Sequence, residues 1–328
     1  MTTVRKPAAK RPASRTPHPR AQQRTVRPAA RRAGARDWIA GARLRTLPLA
    51  IAPVALGTGV GVFDGGTMPW RPLNAALALI VALALQVGVN FANDYSDGVR
   101  GTDAHRVGPQ RLTGAGLASP RRVLTVALVF FALAAAAGLA LVAVTGQWWM
   151  LAIGAFALLA AWFYTGGRRP YGYAGFGELA VFIFFGLVAT VGSAFVQSDV
   201  LWSDLAWLGG GAIGLYACAV LMANNLRDRE QDARVGKRTL SVRLGALGSK
   251  LFFAGCMLLP SVASVVFWAV VPAAGFGLFV LLAALPAIAI VATAKTAREL
   301  ILALQLASAS ALIFGLATGA VFAIAVRG

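Results

Sequence analysis

"LNAALALIVALALQVGVNFANDYSDGVRGTD", Leu73 to Asp103, opens as a mostly apolar run, interrupted only by Asn74 and Gln86, and closes in a cluster of amides and carboxylates. The apolar part is long enough to cross a bilayer as a helix, which takes about 20 residues. Its polar end carries Asn90, Asn93, Asp94, Asp97 and Asp103. The same pattern recurs in "GLYACAVLMANNLRDREQD", Gly214 to Asp232, where an apolar run leads into Asn224, Asp228, Glu230 and Asp232. Aligning "ANDYSD" with "ANNLRD" pairs Asn93 with Asn224 and Asp97 with Asp228, so both clusters contain Asn-x-x-x-Asp. Residues four apart share one face of a helix. Asn90 with Asp94, and Asn224 with Asp228 and Asp232, extend the two stripes, so two helix ends are expected to present polar faces to a common space.

The rest of the chain supports a membrane reading. Of 328 residues 58% are hydrophobic and only 13% charged, whereas soluble domains carry about 25% charged residues. Apolar runs of spanning length fall at about 47–63, 73–92, 121–145, 147–164, 177–197, 204–224, 250–271, 274–294 and 300–326. They are continuous and rich in Ala, Leu and Gly, where barrel strands would alternate. The expected fold is an all-α polytopic membrane bundle of nine transmembrane helices. Of the 31 Lys and Arg residues, 29 fall before the first span or in the even-to-odd connections. The positive-inside rule then places the N-terminus and both acidic clusters on the cytoplasmic side, where the mouth of any site that uses water-soluble chemistry is expected, with the C-terminus outside.

Residues 1–36 hold 11 basic residues and no acid, interleaved with Pro and Ala. Such a segment builds no core and is expected to be a disordered cytoplasmic tail, with the membrane domain spanning 37–328. It either meets anionic lipid headgroups or simply sets orientation. Removing its charges lowers the formal net charge from +19 to +8, so the basicity does not point the main body at nucleic acid. Cys218 and Cys256 fall inside expected spans and read as packing residues.

Six of the 12 acids lie in the two clusters. Gathering carboxylates is unfavourable unless something positive sits between them, and Mg²⁺, which combines one or two carboxylates with substrate phosphates, suits the set. Neither Cys nor His is grouped for Zn²⁺. Basic residues stand nearby: Arg100, Arg106 and Arg111 after the first cluster, Lys237 and Arg238 after the second, and Arg168 and Arg169 in "YTGGRRPYGY". Acids and cations on one face suit a metal-bound diphosphate. Arg121, Arg122 and Lys250 read as topology signals only.

At these motifs the sequence resembles the UbiA superfamily of intramembrane prenyltransferases. The resemblance rests on Asn93, Asp94 and Asp97 with Asp103 after the second span, Asp228 and Asp232 after the sixth, and Tyr164 with Arg168 between the fourth and fifth. Arg168 replaces the superfamily's Lys, exchanging a point charge for a planar fork. "VGPQRLTGAGL", "YTGGRRPYGYAGFGE", "GKRTLSVRLG" and the opening "RLRTLPLAIAPVALG" are similar to the branch that prenylates 1,4-dihydroxy-2-naphthoate.

The resemblance implies a polyprenyl diphosphate in a lipid-facing cavity of a bacterial inner-membrane protein. It implies Mg²⁺ at Asp94, Asp97, Asp228 and Asp232, and leaving-group assistance from Arg168 and Lys237. Tyr164 would shield an allylic cation, and naphthoate attack with decarboxylation would give demethylmenaquinone. Asn90, Asn93 and Asn224 fall to substrate binding, Arg45 to the aromatic carboxylate, and Asp103 with Arg111 to loop closure. Prenylation of 4-hydroxybenzoate is the nearest alternative. A transporter or channel would place ionisable residues near mid-membrane, and the spans hold almost none.

Overall fold

The computed structural model describes residue 2 and residues 32–102 and 111–326. Asp103, Arg106 and most of the basic tail lie outside them. Among the described residues there is no strand, and ten helices carry the fold. They are α1 (Ala35–Ala42), α2 (Pro48–Asp64), α3 (Pro72–Arg100), α4 (Pro120–Thr145), α5 (Met150–Phe163), α6 (Gly177–Ser198), α7 (Asp204–Arg234), α8 (Leu240–Val270), α9 (Pro272–Thr293) and α10 (Ala297–Ala325).

Local chemistry sets several of these boundaries. Pro72 and Pro120 open α3 and α4 at positions where the missing N–H costs nothing. Gly101, at φ +72°, ends α3 in the left-handed conformation that a glycine adopts without penalty. Ser203 caps α7 by accepting the Ala206 N–H at 3.1 Å. Thr296 and Glu299 form a reciprocal capping box at the start of α10.

Seven helices among the described residues (α3, α4 and α6 to α10) are long and apolar enough to cross a membrane, and the chain is an integral membrane protein. An eighth span results if the residues Ala35–Thr46 and α2, bent by 46°, count as one. The fourth expected span, 147–164, is represented by α5, which has only 14 residues. At about 1.5 Å per residue that helix falls short of a core about 30 Å thick. A turn through Gln147 to Trp149 shortens one end, and the chain leaves the helix at Tyr164 on the other. The continuous apolar run concealed both.

The second acidic cluster is helical, as its spacing predicts: α7 runs unbroken to Arg234 and carries Asn224, Asp228 and Asp232 as one stripe. The main core gathers Tyr216 of α7, Phe253 and Phe267 of α8, and Phe314 and Phe322 of α10. Burial contributes little to association between helices in lipid, so contact depends on close fit. Gly59 of α2 shows that fit: an added Cβ would lie 1.9 Å from the carbonyl oxygen of Gly319 in α10. A smaller cluster joins Phe91 of α3 to Leu112, Val123 and Phe131. It fixes the turn after residue 110 against the polar end of α3.

Candidate functional site

A cavity of about 610 Å³ opens among α2, α3, α4, α5, α6 and α7, with α10 adding to its wall. Leu85, Val89, Leu158, Phe184, Phe185 and Leu304 supply apolar wall, and the polar stripes of α3 and α7 close one end. Part of that wall comes from a π-helical stretch of α6, Phe182–Val188, a wider turn often found beside functional sites.

On α3, Asn90, Asn93, Asp94 and Asp97 are all buried. Each does a separate job. Asn90 donates from Nδ2 to the Ala42 carbonyl at 3.0 Å and to Thr46 Oγ1 at 3.4 Å, and Gln86 donates to the same Thr46 hydroxyl at 2.8 Å. These bonds hold the bend between α1 and α2 over the cavity. Asn93 Oδ1 accepts from Thr165 Oγ1 at 2.7 Å. Asp94 accepts two backbone N–H groups, Leu112 at 2.8 Å and Thr113 at 2.9 Å. Its carboxylate therefore anchors the segment that follows residue 110.

Asp97 is the electrostatic centre. It accepts from Arg111, from the Tyr173 hydroxyl and, at 3.2 Å, from Lys237 Nζ. Lys237 Nζ also sits 4.3 Å from the centroid of the Tyr173 ring, with the Arg100 guanidinium at 5.6 Å, a cation–π arrangement. Burial, with the Asp97 carboxylate adding to it, pushes the Tyr173 phenol well above its ordinary value. Tyr171, beside it, is pushed up to about 12 by burial. Both phenols remain donors at neutral pH.

On α7, Arg227 holds Asp228 through Nε at 2.8 Å and Nη2 at 2.7 Å, and donates to Asn224 Oδ1 at 2.6 Å. Asp232 is buried on the next turn. Its carbonyl accepts the Lys237 N–H at 2.8 Å, which ties the cation facing Asp97 to the end of α7.

Eleven of the residues singled out from the sequence line this one cavity: Arg45, Asn90, Asn93, Asp94, Asp97, Arg111, Tyr164, Asn224, Asp228, Asp232 and Lys237. Arg168 does not; it is exposed on the turn after Tyr164. Arg100 bonds the Thr165 and Gly167 carbonyls of that turn instead. Sequence reasoning passed over Tyr173 and Arg227 as site residues. Arg227 had a usable signal, standing three residues after Asn224 and next to Asp228; Tyr173 had none, because only the fold brings its turn to Asp97.

Among the described residues no group of three or more His, Cys, Asp or Glu is placed to hold a metal ion. The donors are nonetheless all oxygen, and Asp97, Asp228 and Asp232 face one cavity together with Asn93 and Asn224. This set fits a Mg²⁺ ion that takes one or two carboxylates and completes its shell with phosphate oxygens.

An apolar cavity among membrane helices, closed at one end by paired carboxylates and cations, defines a binding site for an amphiphile with a charged head. The UbiA prenyltransferase family model matches residues 50–299. The chain belongs to that family and is a prenyltransferase. It is 47% identical over 288 residues to 1,4-dihydroxy-2-naphthoate octaprenyltransferase of Mycobacterium tuberculosis, covering 88% of this chain and 97% of the relative. Its fold matches a UbiA homolog from Aeropyrum pernix K1 with TM-score 0.62 at 17% identity, over 83% of this chain and 96% of that one. It also matches a UbiA homolog from Archaeoglobus fulgidus bound to DMAPP and Mg²⁺, with TM-score 0.56 at 17% identity, over 87% and 99%.

Proposed function

We propose that the protein transfers a polyprenyl group from polyprenyl diphosphate to 1,4-dihydroxy-2-naphthoate, with loss of the carboxylate, on the way to menaquinone. The observation that carries this reading is the similarity along nearly the whole chain to an octaprenyltransferase for that acceptor. The cavity suits the donor: its apolar body takes the chain and its polar end takes the diphosphate.

Asp97, Asp228 and Asp232 would hold Mg²⁺, which supplies charge neutralisation at the departing diphosphate. Before substrate enters, Arg111 and Lys237 balance Asp97, and Arg227 balances Asp228. These cations can then turn to phosphate oxygens, so the polar end keeps its charge balance with substrate bound. Asp94 keeps its two backbone bonds and holds the Arg111 segment at the diphosphate.

The apolar wall excludes water, which protects an allylic cation from hydrolysis once the C–O bond to diphosphate breaks. Tyr164 lines the cavity and packs edge-on to Tyr171 at 5.5 Å, offering a ring to that cation. Arg45, also on the lining, takes the naphthoate carboxylate. The ring carbon that bears the carboxylate forms the new bond, and departure of CO₂ from that carbon restores aromaticity without a strong base.

The membrane arrangement belongs to the same reading. The bent segment before α3 and the short α5 each count as one span, giving nine, with the mouth and N-terminus cytoplasmic and the C-terminus outside.

Purified protein given Mg²⁺, a polyprenyl diphosphate and either 1,4-dihydroxy-2-naphthoate or 4-hydroxybenzoate, with products read by mass spectrometry, tests the proposal. A decarboxylated prenyl-naphthohydroquinone from the first acceptor, detected as such or as the quinone that air oxidation gives, is the expected product. Prenylated 4-hydroxybenzoate alone would overturn the choice of acceptor.

A further inference from the structure

A second cavity, of about 570 Å³, lies on the other side of the α7 C-terminal turns. Five cations from three places in the chain line it: Arg227, Arg229 and Arg234 of α7, Lys250 of α8 and Lys295 before α10. Only Glu230 among the lining residues is acidic, and it is 4.0 Å from Arg229 with its side chain 77% exposed. A topology signal explains a count of basic residues in connecting segments, but it does not explain their convergence on one concave surface. The floor is apolar, with Leu226 and Leu300 beneath the charges.

The amides at the start of α10 add nothing here, because Glu299 already takes the Lys295 and Thr296 N–H groups at 2.8 and 2.7 Å. Glu230 and Glu299 offset only part of the positive charge, which leaves the hollow suited to an anion from outside. The neighbouring surface identifies the kind. Ala246 and Lys250 line the cavity, and the residue after each, Leu247 and Leu251, is 71% and 65% exposed. Leu258 continues the same helical face. A basic hollow at helix ends that continues into an outward apolar strip matches a phospholipid, headgroup and chain together.

We propose that this cavity binds the phosphate headgroup of an anionic phospholipid whose acyl chains lie along the outer face of α8. Arg227 lines both this cavity and the prenyl-transfer cavity, so the bound lipid sits one side chain away from Asp228. The proposal does not depend on which aromatic acceptor the enzyme uses.

Native mass spectrometry of the delipidated full chain, offered equimolar phosphatidylglycerol and phosphatidylcholine, reads the site. The wild type is expected to prefer phosphatidylglycerol by about tenfold or more, and Arg234→Gln/Lys250→Gln/Lys295→Gln to lose that preference. A control, Arg36→Gln/Arg121→Gln/Arg122→Gln, removes equal charge elsewhere and is expected to keep it. Inorganic phosphate is expected not to displace the lipid. Equal retention of the two lipids, equal loss in the control, or displacement by inorganic phosphate would each overturn the proposal. Helix content by circular dichroism checks folding. Should the triple variant not fold, Arg234→Gln/Lys295→Gln, which alters two exposed side chains and spares the Lys250 bond to the Ala292 carbonyl at 2.8 Å, carries the same test.

Discussion

Two carboxylates three residues apart do different work. Asp97 faces the cavity among Arg111, Lys237 and Tyr173, whereas Asp94 is bonded to the backbone of Leu112 and Thr113. Asp97→Asn and Asp228→Asn are each expected to cut turnover by at least 10²- to 10³-fold, about the cost of losing one preorganised electrostatic group, while the protein still folds. Near-normal turnover in both variants would remove the metal-site assignment. Asp94→Ala is instead expected to cost about 1–3 kcal/mol of stability, since two backbone donors lose their acceptor; thermal unfolding in detergent reads the difference. Tyr173 is expected to hold its proton throughout the working range, because a raised phenol pKa moves ionisation to higher pH. The wild-type pH–rate profile should show no phenol ionisation up to about pH 10, the unperturbed tyrosine value. Removing the hydroxyl in Tyr173→Phe should lower the rate without adding a new titration. The sequence announced the acids because four-residue spacing on a helix is visible in a string. It was silent on their division of labour, which is set by a turn 14 or more residues away.

At the scale of elements, the helices that frame the site were legible from apolar length, opening prolines and the polar ends of α3 and α7. The bend before α2 was not. It depends on Asn90 and Gln86 reaching Thr46 from another helix, and no local pattern records such a contact. The shortness of α5 was equally hidden, because Trp148 and Trp149 are apolar in composition while folding as a turn. Close approach of α2 to α10 gives a test of packing. Gly59→Leu places a branched side chain where even a Cβ meets the Gly319 carbonyl at 1.9 Å, and is expected to destabilise by about 1–3 kcal/mol or more through forced separation. A melting temperature equal to wild type in the same detergent would show that this contact is looser than described.

Across the whole molecule, one gradient organises the chemistry: an apolar cavity that runs toward a single polar end. Charge on that end comes from α3, α7 and the turns beside them, brought together although they are far apart in sequence. The repeat of Asn-x-x-x-Asp on two helices made the convergence legible in advance, while the cations that balance each acid emerged only from the assembled fold. The central claim is that this end handles a metal-bound diphosphate leaving group for transfer to an aromatic ring. The most direct measurement is release of inorganic diphosphate by purified protein, with and without 1,4-dihydroxy-2-naphthoate, with Mg²⁺ or a chelator, for wild type and Asp228→Asn. The account predicts acceptor-dependent release, equal in amount to prenylated product, that vanishes with chelator and in the variant. Release that ignores the acceptor, or that continues undiminished in Asp228→Asn, would contradict it.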